Sequence, residues 1–178
     1  DIKTKSQGKN FFMGFANLIN TLRTCPKIII GSVHGKAIGG AVGIAATTDI
    51  CYASEYANIK LSEISIGIGP FVIEPAIRRK IGLSAFTQLA LKSQTFFSAK
   101  WAREKGLFAD VFESNSDLNS EVEILANELS DYNPDALFAL KKILWQDINN
   151  WDELLKDRAS ISGDLVLSSF AKYFLNNY

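Results

Sequence analysis

The sequence holds one histidine and two cysteines in 178 residues, and its charges cancel, with 19 Lys+Arg against 19 Asp+Glu. Each scarcity removes a class of function. Zero net charge leaves no bulk attraction for nucleic acid or for an anionic membrane surface. Cys25 and Cys51 form no CxxC and have no histidine cluster to join. Neither a zinc-type ligand set nor a disulfide framework is therefore expected, and a reducing, cytoplasmic setting is. The longest apolar run is interrupted by Thr47, Thr48 and Asp49, too soon to span a bilayer. No signal-peptide pattern, internal repeat or low-complexity stretch is visible. No metal and no redox cofactor is expected.

What is present suits one globular domain with a sizeable core, with 47% apolar and 21% charged residues. Residues 1–10 are polar, with no capped element and no initiating Met. They read as the tail of a loop and point to a fragment whose natural N-terminus is missing. Apolar residues at 11, 12, 15, 18, 19 and 22 predict a helix over 11–23, ended by Pro26. Strands are expected over 27–33, 49–53, 57–61 and 107–112, and a small-residue helix over 40–47. Residues 62–69 read as irregular. Helices are expected over 75–81, 84–92 and 98–105, with Ser84 and Ser98 as N-caps and Gly82 and Gly106 as stops. Beyond Ser116 the pattern is helical throughout, over 118–129, 134–146, 151–158 and 165–174. Strands alternating with helices, then helices alone, predict an α/β core over residues 1–113 and a helical region over 114–178.

The most informative segment is Gly35-Lys36-Ala37-Ile38-Gly39-Gly40-Ala41-Val42-Gly43-Ile44. Its paired glycines stand between an apolar strand and an apolar helix. One reading is close helix–strand packing. The other is a helix start whose unpaired N–H groups face an oxygen carrying negative charge. The segment matches neither a Walker loop nor GxGxxG. Glu63 sits among Leu61, Ile64, Ile66 and Ile68. It is either a surface residue or a carboxylate in an apolar pocket, where burial would raise its pKa toward the value a general acid/base needs. His34, the only histidine, is read as a structural hydrogen-bonding residue. Trp101, Trp145 and Trp151 are read as packing or interface residues.

Residues 27–82 resemble the crotonase superfamily, the enoyl-CoA hydratases and isomerases. The likeness is carried by KIIIGSVHGKAIGGAVGIAATTDICYASEYANIKLSEISIGIGP, then by RRKIGLSAFTQLAL and AKWAREKGLFADVF. It extends over essentially the whole chain and is weakest in the helical tail. The resemblance implies a crotonase-type spiral β-sheet core, with part of the fold upstream of this chain, and C-terminal helices that build a trimer or a dimer of trimers. It implies an acyl-CoA thioester as substrate, with coenzyme A entering only as part of it. Members of the family hold the thioester oxygen between two backbone N–H groups. One falls at Gly40, beside Gly39, and the other on an upstream loop.

The same resemblance assigns further residues. Hydratases of the family typically use two glutamates. The second corresponds to Glu63, and the first falls at Gly43, which transfers no proton. Single-glutamate members include Δ3,Δ2-enoyl-CoA isomerases, whereas the local glycine pattern is closer to bacterial hydratases of the methylglutaconyl-CoA type. Glu74 is a candidate replacement acid, or else a first-turn glutamate favoured by the helix dipole. Ile66, Ile68, Phe71 and Val72 are expected to shape the acyl pocket, with ordinary core as the alternative. Phe170 and Lys172 fall where the C-terminal helix of the family gives an aromatic and a basic residue to coenzyme A. The expected activity is hydration of a 2-enoyl-CoA. Isomerisation or decarboxylation on the same fold, and a non-catalytic binding or assembly module, are the alternatives.

Overall fold

The first helix begins well before residue 11, because Thr4 and Gln7 cap it reciprocally. The Gln7 N–H donates to Thr4 Oγ1 (3.2 Å) and the Thr4 N–H donates to Gln7 Oε1 (3.1 Å). Thr-x-x-Gln is a capping-box spacing. Residues 5–10 are thus helical, which corrects the expected loop. The computed structural model describes residues 2–146 and 150–176.

In chain order the strands are β1 (Ile30–Val33), β2 (Lys36–Ile38), β3 (Ile50–Ser54), β4 (Asn58–Lys60), β5 (Phe97–Ser98) and β6 (Asp110–Phe112). The helices are α1 (Lys5–Thr24), α2 (Gly40–Thr47), α3 (Glu74–Leu91), α4 (Ala99–Glu104), α5 (Asn115–Ser130), α6 (Pro134–Leu144), α7 (Trp151–Leu165) and α8 (Ser169–Asn176). The strands build two small sheets. One is parallel, in the order β1-β3-β6, with Ile30 opposite Ile50 and Tyr52 opposite Asp110. The other has the order β2-β4-β5, parallel between β2 and β4 and antiparallel between β4 and β5. Strands β2 and β5 are not among those expected: β2 lies in the glycine-rich segment between the expected strand over 27–33 and the expected helix over 40–47, and β5 is two residues long.

Helix α3 is interrupted at Gly82, whose φ of 74° lies where glycine is favoured. The sequence reading of two helices meeting there describes the same kink. Helix α2 packs on α1, α3, β1 and β2. Ile59, Leu61, Ile77, Leu89 and Phe108 are fully buried in the core around it. Helix α5 lies on β1, β3 and β6, and α7 runs along α1. The contact between α1 and α7 is backbone-close. A Cβ on Gly8 would stand 2.7 Å from the Gly163 carbonyl oxygen, and one on Gly163 would stand 2.5 Å from the Lys9 nitrogen. Helix α7 therefore continues past residue 158, where the sequence reading ends it.

Both cysteines are free. Burial pushes the Cys51 thiol up to about 11, against a hydrogen bond from Thr48 and the charge of Lys80, so it stays protonated at neutral pH. Among the described residues no helix is long and apolar enough to cross a membrane.

Candidate active site

Strand β2 delivers the chain to Gly39, whose φ of 57° requires the freedom of glycine. Its N–H donates to the Lys60 carbonyl of β4 (2.9 Å), and its carbonyl accepts from the Val42 N–H (2.9 Å). The turn is thus held between a strand and the first turn of α2. The space a side chain would fill at position 39 belongs to Glu63, because a Cβ there would lie 2.6 Å from Glu63 Oε1. Gly40 is the first residue of α2, so its N–H belongs to the first-turn donors that have no acceptor within the helix. A Cβ at Gly40 would collide with the ring of Phe15.

Gly40 and Glu63 line one cavity of about 340 Å³, at the small end of the range for ligand pockets. Phe11, Phe12 and Phe15 of α1 form one part of its wall. Ile66, Ile68, Phe71 and Val72 form another, and Ser162 of α7 with Val166 just past its end a third. Glu63 opens a 3₁₀ turn, Glu63–Ile66, closed by Gly67 at φ 81°. Its Oε2 is buried and has no hydrogen-bond partner. Burial pushes the carboxyl above its usual range, and the backbone amides of Glu63 and Ser62 pull it back only in part. An unpaired carboxylate oxygen with raised basicity, in an apolar chamber beside a helix-start amide, is equipped to take a proton from carbon or from water.

Six residues singled out in the sequence meet at this cavity: Gly40, Glu63, Ile66, Ile68, Phe71 and Val72. Gly39 stands directly behind the carboxylate. Others stand elsewhere. Glu74 heads α3 and faces Arg78 (3.5 Å) and Arg158 (3.6 Å), outside the cavity lining. Phe170 packs on Gly67, where a Cβ would lie 2.5 Å from its ring, and stacks on Phe174 at 4.8 Å. Lys172 is exposed on α8. Neither lines the cavity. His34 Nε2 lies 3.0 Å from Ser32 Oγ on the exposed side of β1. The aromatic wall from α1 was not foreseen, although the stripe at 11, 12 and 15 was its signal. Ser162 also went unread. It is the one hydroxyl on the buried stripe Leu155, Ala159, Ser162 and Val166.

Gly43 faces Ile73, into whose Cβ and Cγ2 any side chain at 43 would run. Gly43→Glu, which would place a carboxylate where the resemblance puts the first glutamate of two-glutamate hydratases, is therefore expected to overpack this contact. We expect a loss of about 1–3 kcal/mol and no gain in turnover. Thermal melts and initial rates check both, and a more active variant of unchanged stability would overturn the expectation.

The profile of the family described as enoyl-CoA hydratase/isomerase matches residues 2–163. The chain is 32% identical over 130 residues to the peroxisomal Delta(3,5)-Delta(2,4)-dienoyl-CoA isomerase of Arabidopsis thaliana, covering 71% of this chain and 45% of that protein. It is 32% identical over 126 residues to the 2,3-dehydroadipyl-CoA hydratase of Escherichia coli, covering 70% of this chain and 49% of that protein. The chain spans about half the length of these curated relatives. The crystal structure of an enoyl-CoA hydratase from Mycobacterium avium superposes with a TM-score of 0.86 at 22% identity, over 97% of this chain and 69% of that one. At that identity the likeness shows the fold.

Proposed function

The chain belongs to the enoyl-CoA hydratase/isomerase family and has its crotonase α/β fold, and from that premise we propose that it hydrates the 2,3-double bond of an enoyl-CoA through a single carboxylate. The observation that carries the reading is that Gly40 and Glu63, whose Oε2 has no hydrogen-bond partner, line one apolar cavity. Glu63 takes a proton from water as the water oxygen bonds to C3. The π electrons move to the thioester oxygen, and the Gly40 N–H stabilises the resulting oxyanion. The enolate then collapses and Glu63 returns the proton to C2. One water is added and the carboxylate is regenerated. The cavity volume suits a short or branched acyl chain, with coenzyme A outside it.

A second reading has its own support. The packing of Gly43 against Ile73 leaves one carboxylate at the cavity among the described residues, and one carboxylate suffices to move a proton from C2 to C4 of a 3-enoyl-CoA. Mass analysis of products separates the two. Hydration adds the mass of one water to a 2-enoyl-CoA, whereas isomerisation converts a 3-enoyl-CoA at constant mass. We expect the first with the higher kcat/KM. Isomerisation without any hydrated product would replace the hydratase reading with the isomerase one.

A further inference from the structure

Ser162 lies on a stripe of α7 that is otherwise apolar, formed with Leu155 and Ala159 and continued by Val166 at the helix end. It is fully buried, at 0% exposure, and its Oγ has no hydrogen-bond partner. A serine inside a helix commonly returns its O–H to the carbonyl four residues back, and this one does not. The residue lines the same cavity as Glu63. Among the described residues three buried side-chain polar atoms are unpartnered: Glu63 Oε2, Trp151 Nε1 and Ser162 Oγ. Trp151 is not on the cavity. The carboxylate is occupied by proton transfer at C2 and C3. The hydroxyl has no part in that chemistry, and an alanine would fill the stripe without leaving a polar atom dry.

We propose that Ser162 is a specificity residue that hydrogen-bonds an uncharged oxygen substituent, a hydroxyl or keto group, on the acyl chain. The inference rests on the reading of this cavity as the acyl site. The lining decides the charge of the substituent. Among the described residues no Lys, Arg or His lines the cavity, so a distal carboxylate would enter apolar walls with no counter-charge and with Glu63 in the same chamber. A neutral oxygen needs only one partner, and a serine hydroxyl serves as donor or as acceptor. An alkyl chain in the same position leaves the hydroxyl unpaired, and the site discriminates against it.

Calorimetric titration with saturated thioesters tests this without turnover. The probes are hexanoyl-CoA, its 4- and 5-hydroxy and 4- and 5-oxo counterparts, and adipoyl-CoA. One or more of the oxygenated neutral chains is expected to bind the wild type about tenfold tighter than hexanoyl-CoA, the scale of one net hydrogen bond. Adipoyl-CoA is expected to bind weakest. In Ser162→Ala the oxygenated chains and hexanoyl-CoA should bind alike, and the melting temperature should not fall, because the change removes an unpaired group. Ser162→Val should favour hexanoyl-CoA. A preference that survives Ser162→Ala, or a wild type that does not discriminate, overturns the role of the hydroxyl and leaves the acyl site standing. If no thioester of the panel binds, the acyl-site reading falls, and this inference with it.

Discussion

Glu63→Gln is expected to lower turnover by about 10²–10⁴-fold, the range a positioned acid/base supplies, while acyl-CoA affinity stays at the wild-type level. The substitution keeps the shape of the side chain against Gly39 and removes only its capacity to hold a proton. Initial rates and binding calorimetry on the same preparation check both halves. Retained turnover would sink the single-carboxylate mechanism, whereas acyl-CoA binding without turnover in the wild type as well would favour a binding module. Stability is expected to move the other way. Burial raises the native-state pKa of Glu63 above its unfolded value. Below the unfolded pKa both states hold the proton, and burial carries no electrostatic penalty. As pH climbs through the unfolded and then the native value, the unfolded chain releases its proton first, and the native state loses relative stability. Glutamine has no proton to release. The variant should therefore melt at or above the wild type at pH 7, and the two should converge on acidification. The same raised pKa places the acid limb of kcat/KM above the ordinary glutamate range, because a protonated carboxyl cannot accept the proton of water.

The parts of the site that were legible in the sequence are the local ones. Gly39 and Gly40 stand between a strand and a helix within a few residues, and a lone Glu63 among isoleucines is visible without any contact. What sequence could not supply was the third dimension of the wall. The stripe of α1 shows which residues turn inward, but not that Phe11, Phe12 and Phe15 face a cavity rather than packed core. Ser162 was hidden by the expected gap between residues 158 and 165. That gap is helical because Gly163 meets Gly8 at backbone distance, a long-range contact with no local signature. The early start of α1 is a different failure, since the Thr4 and Gln7 spacing was readable and went unread. Glu74 illustrates the converse limit. Its place in the sequence suits an acid near the cavity, and two arginines, one of them on distant α7, draw it away.

The second large effect is expected far from the cavity, at a buried charge cluster that no local pattern announces. Lys141 of α6 is 1% exposed, and its Nζ lies 2.9 Å from Asp49 Oδ2. The same nitrogen donates to the carbonyls of Leu22 (2.9 Å) and Lys27 (2.8 Å), on either side of the bend between α1 and β1. Asp49 in turn accepts from the Ile29 N–H (2.8 Å) and from Trp145 Nε1 (2.9 Å). Each charge has its partners, so the cluster is stable while whole and costly when halved. Lys141→Met leaves Asp49 buried without its cation, and Asp49→Asn leaves the ammonium without its anion. Each is expected to lose about 3–5 kcal/mol, a fall of about 6–20 °C in melting temperature for a chain of this size. The double variant should recover much of that loss, because it leaves no unpaired charge. Activity per folded molecule should change little, since Asp49 lies beyond the far end of α2 from Gly40. The same cluster ties α6 to the rest of the fold. It pins α6 to the α1–β1 bend, and the Trp145 ring meets Trp151 at 5.5 Å, where α7 begins its run along α1 toward Ser162. Single variants that lose less than about 1 kcal/mol, the scale of an exposed pair, would show that the cluster is solvated and that α7 is held by its packing on α1 alone.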